Sequence, residues 1–568
     1  MDAVRYMNWE WKFQVGNAQE VDRSLASRRT KMLSKPTRVR AQGSQNSEGS
    51  VLAIDVGTGG TKAALISSSG CLVSSAFASH QPPAPSPMGW QASMEQDQEG
   101  WWLAAKMAIK DCLSNNSSRN FGIWLPDAIA LTGQMQDVIL LPKEPASQKR
   151  NAILYSDARG FVEAEEIAEL AGGSSSLVST TGQLQGGTSL LAKLRWLDKH
   201  DMSAAAECKN ILFGGHDYIA WKLTGALVTD ATTASTTGLT DLSFQYAESL
   251  IKTVNLGHWL EMLPHIAPVD IPCGEVSEAA AIELGFPLLK AIPVLHCCGD
   301  AGACSLGAGA GIPGSMYGYL GTSGWVAGSF LRSPENVMRS VPGVFTLAHP
   351  DSTLVFRTGS IMTAGGNLAW AASNLVYTSR RDILLMKEVD KLARLAQTGC
   401  GGLLYLPFLT GERCPFEDPI ARAAFIGISS DTTLPEMFRS IMEGVTFAMR
   451  SARDVMLDKP WADTGPLRLV GGGASSPLWP QIIANVFRQT VEVLEDSQDV
   501  GVKGAALLAG KWLGWHSTFS PGGDWLKVQR TYYPSHEDSL AFDSLFATYK
   551  EAYHSLKNIF EKLSRYRK

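Results

Sequence analysis

Cysteine is scarce in this chain: nine residues in 568, scattered, with no Cys-x-x-Cys pair. That spacing excludes a ribbon-type zinc site and a thioredoxin-like redox motif. No run of 18 apolar residues occurs, so no evident membrane span exists. Basic charge is not in excess. Lys and Arg number 50 against 55 Asp and Glu, a net charge of −5, which argues against a partner held by a basic surface, such as nucleic acid. An apolar leader segment is missing as well, which argues against a secretory signal. Two nucleotide motifs are also absent. After Gly57-x-Gly59 the position of a third glycine is Lys62, and Gly510-Lys511 is followed by Trp512 rather than Ser or Thr. Neither a dinucleotide fingerprint nor a P-loop is present. The expectation from these absences is a reduced, soluble, intracellular chain.

What is present is length and glycine. A chain of 568 residues holds several domains or two large ones, and it needs no staple to build a core. Residues 1–50 lack periodicity. From Arg23 to Ser47 the basic residues Arg23, Arg28, Arg29, Lys31, Lys35, Arg38 and Arg40 occur without an acid. This stretch is similar to an organelle transit peptide, although Asp2, Glu10, Glu20 and Asp22 spoil the match; a solvated tail is the alternative. The localisation expected is cytoplasm or plastid stroma.

From Val51 onward short apolar runs alternate with Gly/Thr turns. Val51–Val56, Ala63–Ser67 and Cys71–Ala78 read as strands joined by tight turns, followed by strands at Ala128–Thr132 and Val138–Leu141. Gln96–Ser114 reads as a helix with Trp101, Trp102, Ala105, Met107, Ala108, Ile109 and Cys112 on its apolar face. Later helices are expected at Pro435–Asp458, Pro477–Arg488, Val502–Trp515 and from about Leu540 to Leu563. The mixture implies an α/β protein. Two Gly/Thr turns, Gly57-Thr58-Gly59-Gly60 and Gly321-Thr322-Ser323-Gly324, each lie between strand-like runs and stand close to half the chain apart. They suggest two related lobes.

Such a turn exposes successive N–H groups and hydroxyls that can cradle phosphate; a plain hairpin turn is the alternative. Asp55, at a strand end just before the first turn, can hold Mg²⁺ through water or simply brace the turn. Gly471-Gly472-Gly473-Ala474-Ser475 follows the apolar run Leu467–Val470 and lets a flat ring lie on backbone, or merely makes a tight connection. Gly299-Asp300 follows Ala291–Leu295 and is either a helix cap or a catalytic base among small neighbours.

In order along the chain, these segments resemble the FGGY carbohydrate kinases. Asp55-Val-Gly57-Thr58-Gly59-Gly60-Thr61-Lys62 resembles the first phosphate motif and Gly321-Thr322-Ser323-Gly324 the second. Gly471–Ser475, continued by Ser476 and by Val500–Ala506, resembles the adenosine motif. The segment from Ala423 to Glu443 fills every fixed position of a family signature. A second signature, around Lys193-Leu-Arg-Trp196-Leu, is nearly complete, with Leu190 where Pro, Ser or Thr is usual. Gly133-Gln134-Met135-Gln136, Ile153–Arg159 and Tyr405–Pro415 are similar to segments of bacterial-type xylulokinases, and Asp217-Tyr218 and Thr229–Ser235 fall in order. Gln136 stands where a histidine is usual, Asp137 for a glycine, Tyr155 for a tryptophan and Ala301 for an asparagine, all on the sugar side.

The resemblance implies two actin-like (ribonuclease H-like) ATPase lobes with a catalytic cleft between them: a disordered or transit-like extension at 1–50, a sugar-binding lobe at 51–308 and a nucleotide-binding lobe with a terminal helix at 309–568. It implies transfer of the γ-phosphoryl group of ATP to the terminal hydroxyl of a ketopentose, D-xylulose foremost. Asp300 is the expected base and Asp55 the group that positions Mg²⁺. Sugar contacts are expected from Met135, Gln136, Arg159 and Asp300. ATP contacts are expected from Thr58, Gly59, Thr61, Lys62, Gly321, Thr322, Ser323, Trp370, Gly472, Gly473 and Ser476. The partners expected are a small sugar and a second copy of the chain in a homodimer, with neither nucleic acid nor membrane. D-ribulose, gluconate or glycerol kinases, and a non-catalytic sugar or nucleotide sensor, are the competing readings.

Overall fold

A computed structural model of the chain describes residues 48–117, 125–144, 150–333, 341–375, 386–457 and 465–566. The basic stretch 23–47 lies outside the described residues. Among the described residues no helix is long and apolar enough to cross a membrane.

Two twisted sheets organise the chain, and they share one topology. In the first, β1 (Ser50–Val56) and β2 (Gly60–Ser67) form a hairpin extended by β3 (Leu72–Ser79). On its other side β1 pairs in parallel with β4 (Ala128–Gly133), which pairs in parallel with β6 (Pro293–His296); β5 (Pro272–Glu275) closes that edge. In the second, β7 (Met316–Leu320) and β8 (Gly324–Leu331) form the hairpin, extended by β10 (Leu354–Ile361) and then β9 (Val344–Ala348). On its other side β7 pairs in parallel with β11 (Leu467–Val470) and β11 with β12 (Val491–Leu494), before β13 (Val528–Tyr532) closes the edge. Strand for strand, β3-β2-β1-β4-β6 matches β10-β8-β7-β11-β12, so the repeat suggested by the two turns is real. The central strands read as unbroken apolar runs because helices cover both faces; Val51, Leu52, Ala53, Ile54 and Val56 are all buried.

The helices that matter for the site are α1 (Gln98–Ser117), α2 (Leu190–His200), α3 (Gly215–Thr224), α4 (Ala231–Ala234), α5 (Asp300–Gly307), α6 (Gly365–Asn374), α7 (Leu434–Met456), α8 (Trp479–Phe487), α9 (Val500–Leu513) and α10 (His536–Ser564). On α1 the expected stripe is buried except Met107, which is 52% exposed; its place in the helical period falls just beyond the face that meets the sheet. α7 starts with a capping box of Thr433 and Glu436 and with Pro435 inside its first turn. α10, capped by Ser535, buries Phe542, Phe546, Tyr549, Tyr553 and Phe560.

α5 leaves the end of β6, and α9 leaves the end of β12, the equivalent strand of the other sheet. The two helices cross backbone to backbone. A Cβ on Gly307 would overlap the Val500 carbonyl, and one on Gly504 the Ala303 carbonyl. Around this crossing one apolar cluster joins Val51, Ala53, Ala130 and Leu295 of the first sheet to Val502, Ala505 and Ala506 of α9 and Phe356 of the second sheet. The lobes therefore meet along glycine and alanine, and the N-termini of both helices open toward the ends of the parallel strands.

Candidate active site

Three parallel strands of the first sheet end side by side, and each is followed by a candidate segment. β1 delivers Asp55 and the Gly57–Gly60 turn, β4 delivers Gln134–Asp137, and β6 delivers Cys297–Asp300. Sheet bonds continue into the loops. Gln134 N–H donates to Val56 O at 2.9 Å and Cys297 N–H to Leu131 O at 3.0 Å, while Thr132 Oγ1 donates to Cys298 O at 2.8 Å. Met135 lies so close over Gly299 that any side chain there would overlap its thioether. The sugar loop and the candidate base are thus held in contact at the carboxyl ends of parallel strands, where open α/β sheets bind ligands.

Gly299 caps α5, and Asp300 is its first residue, so the cap falls on the glycine. Asp300 Oδ1 accepts only the N–H of Ala301, at 2.7 Å; among the described residues nothing occupies the other oxygen. Burial, then the neighbouring Asp55 charge, pushes the Asp300 carboxyl up to about 7. Burial also raises Asp55, opposed by Lys62 and His216. No group among the described residues hydrogen-bonds the Asp55 carboxylate, which suits it to a water-held cation. Its Oδ2 lies against Gly501 in the first turn of α9.

The first turn is braced from the sugar side. Thr58 Oγ1 donates to Gln134 Oε1 at 2.7 Å and lies 3.4 Å from the hydroxyl of Tyr155, itself 42% exposed. Thr58 O accepts from Gln96 at 3.0 Å. Gly59 is open at the tip. Three expected contacts are corrected. Thr61 alternates to the inner face of β2, where its hydroxyl pairs with His80 at 2.9 Å in the buried interior. Lys62 reaches across to the other lobe and pairs with Asp499 at 3.0 Å and Gln498 O at 2.8 Å. Arg159 is 3% exposed in its side chain; Asp157 and Glu95 take its guanidinium at 2.7 Å and Trp196 lies beneath it. It braces the sugar-side segment rather than presenting itself to a sugar. Gln136 has φ +68°, and its carbonyl accepts from Lys193 at 3.3 Å.

On the second sheet, β7 ends in Gly321-Thr322-Ser323, with Thr322 and Ser323 exposed. The loop sits on the start of α6: Gly365 N–H donates to Gly321 O at 2.8 Å and Gly366 N–H to Thr322 O at 3.1 Å. β11 ends in Gly471–Ser476, folded against Leu320 at the base of the same loop, so the second phosphate turn and the adenosine segment are neighbours. Gly472 is open and Gly473 half-buried. Trp370 on α6 is 38% exposed. Ser476 is corrected: its hydroxyl bonds Asp390 and accepts the N–H groups of Leu478 and Trp479 at 3.1 and 2.9 Å, at the entry to α8. Tyr319, just before the second turn, lies within electrostatic reach of Asp300 and Asp55.

A family model for the N-terminal domain of the FGGY family of carbohydrate kinases matches residues 50–307, and one for its C-terminal domain matches residues 316–512. The chain belongs to the FGGY family. It is a carbohydrate kinase, and FGGY kinases use ATP with a divalent metal. It is 27% identical over 508 residues to a xylulose kinase from Staphylococcus xylosus, covering 89% of this chain and 99% of that one. A ligand-bound xylulose kinase from Lactobacillus acidophilus superposes with a TM-score of 0.79 at 23% identity, covering 91% of this chain and all of the other. A gluconate kinase from the same organism gives 0.78 at 23%, again over 91% and 100%. These likenesses carry the two actin-like ATPase lobes to this chain.

Sequence reasoning missed several groups of this FGGY site. Asp137 is buried, accepts Tyr155 N–H at 3.0 Å and faces Lys193; burial pushes Asp137 up and Lys193 down, against their mutual attraction. Lys193 also donates to Leu154 O at 2.6 Å. His216 and His296 meet Asp217 and Asp230 behind Asp300. Asp137 and Tyr155 were noticed only as departures. The segments holding Lys193, Asp217 and Asp230 stand out in the sequence, but nothing local says that they converge.

Proposed function

We propose that this FGGY kinase transfers the γ-phosphoryl group of ATP to the terminal hydroxyl of a ketopentose, D-xylulose foremost. The observation carrying the reading is the placement of Asp300: one oxygen accepts its own helix N–H, the other has no partner among the described residues, and it follows a strand two places along the same sheet from the one that delivers Asp55. A sugar hydroxyl set against that free oxygen loses its proton to Asp300 as its oxygen attacks phosphorus. The bond from the γ-phosphorus to the bridging oxygen breaks, and ADP leaves with that electron pair. A positioned base of this kind contributes about 10²–10⁴-fold. The exposed N–H groups and hydroxyls of Thr58, Gly59, Thr322 and Ser323 would receive phosphate oxygens, and Gly472, Gly473 and Trp370 would border the adenosine. Mg²⁺ bound with ATP, held through water by Asp55, would neutralise phosphate charge.

The sugar-side wall is Met135, Gln136 and Tyr155, stiffened from behind by Asp137, Lys193 and Arg159. Similarity to xylulose kinases supports the ketopentose; the gluconate kinase neighbour names the rival. Steady-state ADP release with D-xylulose, D-ribulose, D-gluconate and glycerol tests it. The expected result is the highest kcat/KM for D-xylulose and slow basal ATP hydrolysis that the sugar stimulates. Preference for gluconate or glycerol overturns the substrate, and ATP turnover indifferent to every sugar overturns the transfer. A homodimer, and cytoplasm or plastid stroma as the location, belong to the same reading; sedimentation and N-terminal sequencing of the native protein test them.

A further inference from the structure

Behind the Gly299–Asp300 turn four titratable side chains meet without solvent exposure: His216 and Asp217 in the first turn of α3, Asp230 capping α4, and His296 at the end of β6. The phosphoryl transfer uses none of them. His216 Nε2 lies 3.1 Å from Asp230 Oδ2 and 3.5 Å from Asp217 Oδ1. His296 Nε2 lies 2.8 Å from Asp217 Oδ1. One nitrogen or oxygen from each of the four falls within 4.8 Å of all the others. The outer oxygen of each carboxylate is already tied to backbone: Phe213 N–H donates to Asp217 Oδ2 at 2.8 Å, and Thr233 N–H to Asp230 Oδ1 at 3.0 Å. Thr233 Oγ1 further fixes Asp230 Oδ2 at 2.6 Å. Each carboxylate thus turns one oriented oxygen toward two imidazoles. Oriented carboxylates of this kind, held by an outer shell of hydrogen bonds, are a property of metal ligands.

Hydrogen bonding within the protein does not complete the cluster. Nδ1 of His216 and Nδ1 of His296, both buried, have no partner. The latter is aimed at Asp230 Oδ2 from 4.0 Å, beyond hydrogen-bond reach. Charge points the same way. Among the described residues no Lys or Arg pairs with Asp217 or Asp230; their ion-pair partners are the two imidazoles. Two ionised carboxylates here need two positive charges. Supplying them as imidazolium puts two cations on rings whose centroids are 4.7 Å apart, in an interior that screens them poorly. One divalent cation supplies the same charge at one point and leaves both rings neutral. Ligand atoms around a tetrahedral zinc stand about 3.3 Å apart; here one atom from each residue lies within 4.8 Å of the other three, so a small inward shift of the side chains would close the shell.

We propose that His216, Asp217, Asp230 and His296 bind one divalent transition cation, zinc being the ion that two imidazoles and two carboxylates suit. Asp55 is not among its ligands, so it is distinct from the cation that accompanies ATP. Its place ties β6, α3 and α4 together directly beneath the catalytic turn, which makes it a structural ion.

Elemental analysis of the full chain purified without chelator tests this, followed by Zn²⁺ and Co²⁺ titration of chelator-treated protein. The expected results are about one equivalent of transition metal per chain, a tetrahedral Co²⁺ band in the visible spectrum, and a higher melting temperature on Zn²⁺ addition. His296→Gln should weaken Zn²⁺ binding by about 100-fold or more, whereas Asp55→Asn should leave the zinc content unchanged. Absence of both bound metal and the Co²⁺ band overturns the proposal, as does undiminished zinc binding in His296→Gln. If that variant fails to fold, the stoichiometry and the Co²⁺ spectrum of the unaltered chain decide alone.

Discussion

The hairpins β1–β2 and β7–β8 have the same topology and the same Gly/Thr tip, yet the pair of residues beneath each tip is opposite in kind. In the first lobe Asp55 faces Lys62 across the strands. In the second Tyr319 faces Trp325, their rings stacked with centroids 3.9 Å apart and 9° between planes. The backbone turn of a duplicated unit exposes N–H groups in either lobe, and the tips stay alike. The side chains below them divide the labour. On the proposed reading one hairpin brings charge to the reaction, while the other carries a stacked aromatic pair.

Asp300→Asn should sharpen this contrast most, lowering kcat by about 10²–10⁴-fold with sugar affinity, read by calorimetry, nearly kept; undiminished turnover removes Asp300 from its role. Next, Asp55→Asn should lose about 10²-fold in kcat, whereas Tyr319→Phe should cost less than about tenfold, both measured by ADP release. Equal losses would break the proposed division between charged and aromatic hairpins. Gly504→Val, at the helix crossing that joins the lobes, should destabilise by about 1–3 kcal/mol or more, read as a fall in melting temperature; a matching substitution at exposed Gly59 should leave it unchanged.

The smallest effect is a pH dependence confined to the second lobe. Burial raises Glu412 from its ordinary 4.5 to about 7, against the N–H groups of Arg413 and Met362 that it accepts. Its folded-state value lies above the unfolded one, so the folded chain holds an extra proton between those limits. The stabilisation is complete below about 4.5 and is lost as pH rises through 7. Denaturation midpoints of Glu412→Gln should therefore fall less between pH 5 and pH 7.5 than those of the unaltered chain, taking that window from the two limits. Identical slopes would remove Glu412 from the account.

Much of the frame was legible because it is local. Apolar runs interrupted by Gly/Thr turns fixed both hairpins within a residue or three, and the three strand ends carrying Asp55, Met135 and Asp300 sit where the loops after those runs predict. The most specific signature, Ala423 to Glu443, proves to serve the frame rather than the chemistry. Its Glu443 pairs with Arg439 at 2.9 Å and receives Gly399 N–H at 3.2 Å inside the second lobe. What stayed hidden was long-range pairing. Arg159 and Lys62 were read as ligand contacts because nothing near them announces Glu95 or Asp499 as partners, and Ser476 because Asp390 lies far upstream. The histidine–aspartate quartet is gathered from three segments spread over some 80 residues, across helices whose packing no local pattern encodes.

The bare crossing of α5 and α9 has a mechanical consequence. Two rods that touch backbone to backbone at glycine cross at a single close point, and that point serves as a fulcrum within the apolar cluster around it. Asp300 begins one rod, and Gly501, lying on Asp55, begins the other. Turning the lobes about that point would swing the distant nucleotide loops through wide arcs while scarcely displacing either carboxylate. The acceptor end of the reaction could then stay aligned while the donor end is brought to it.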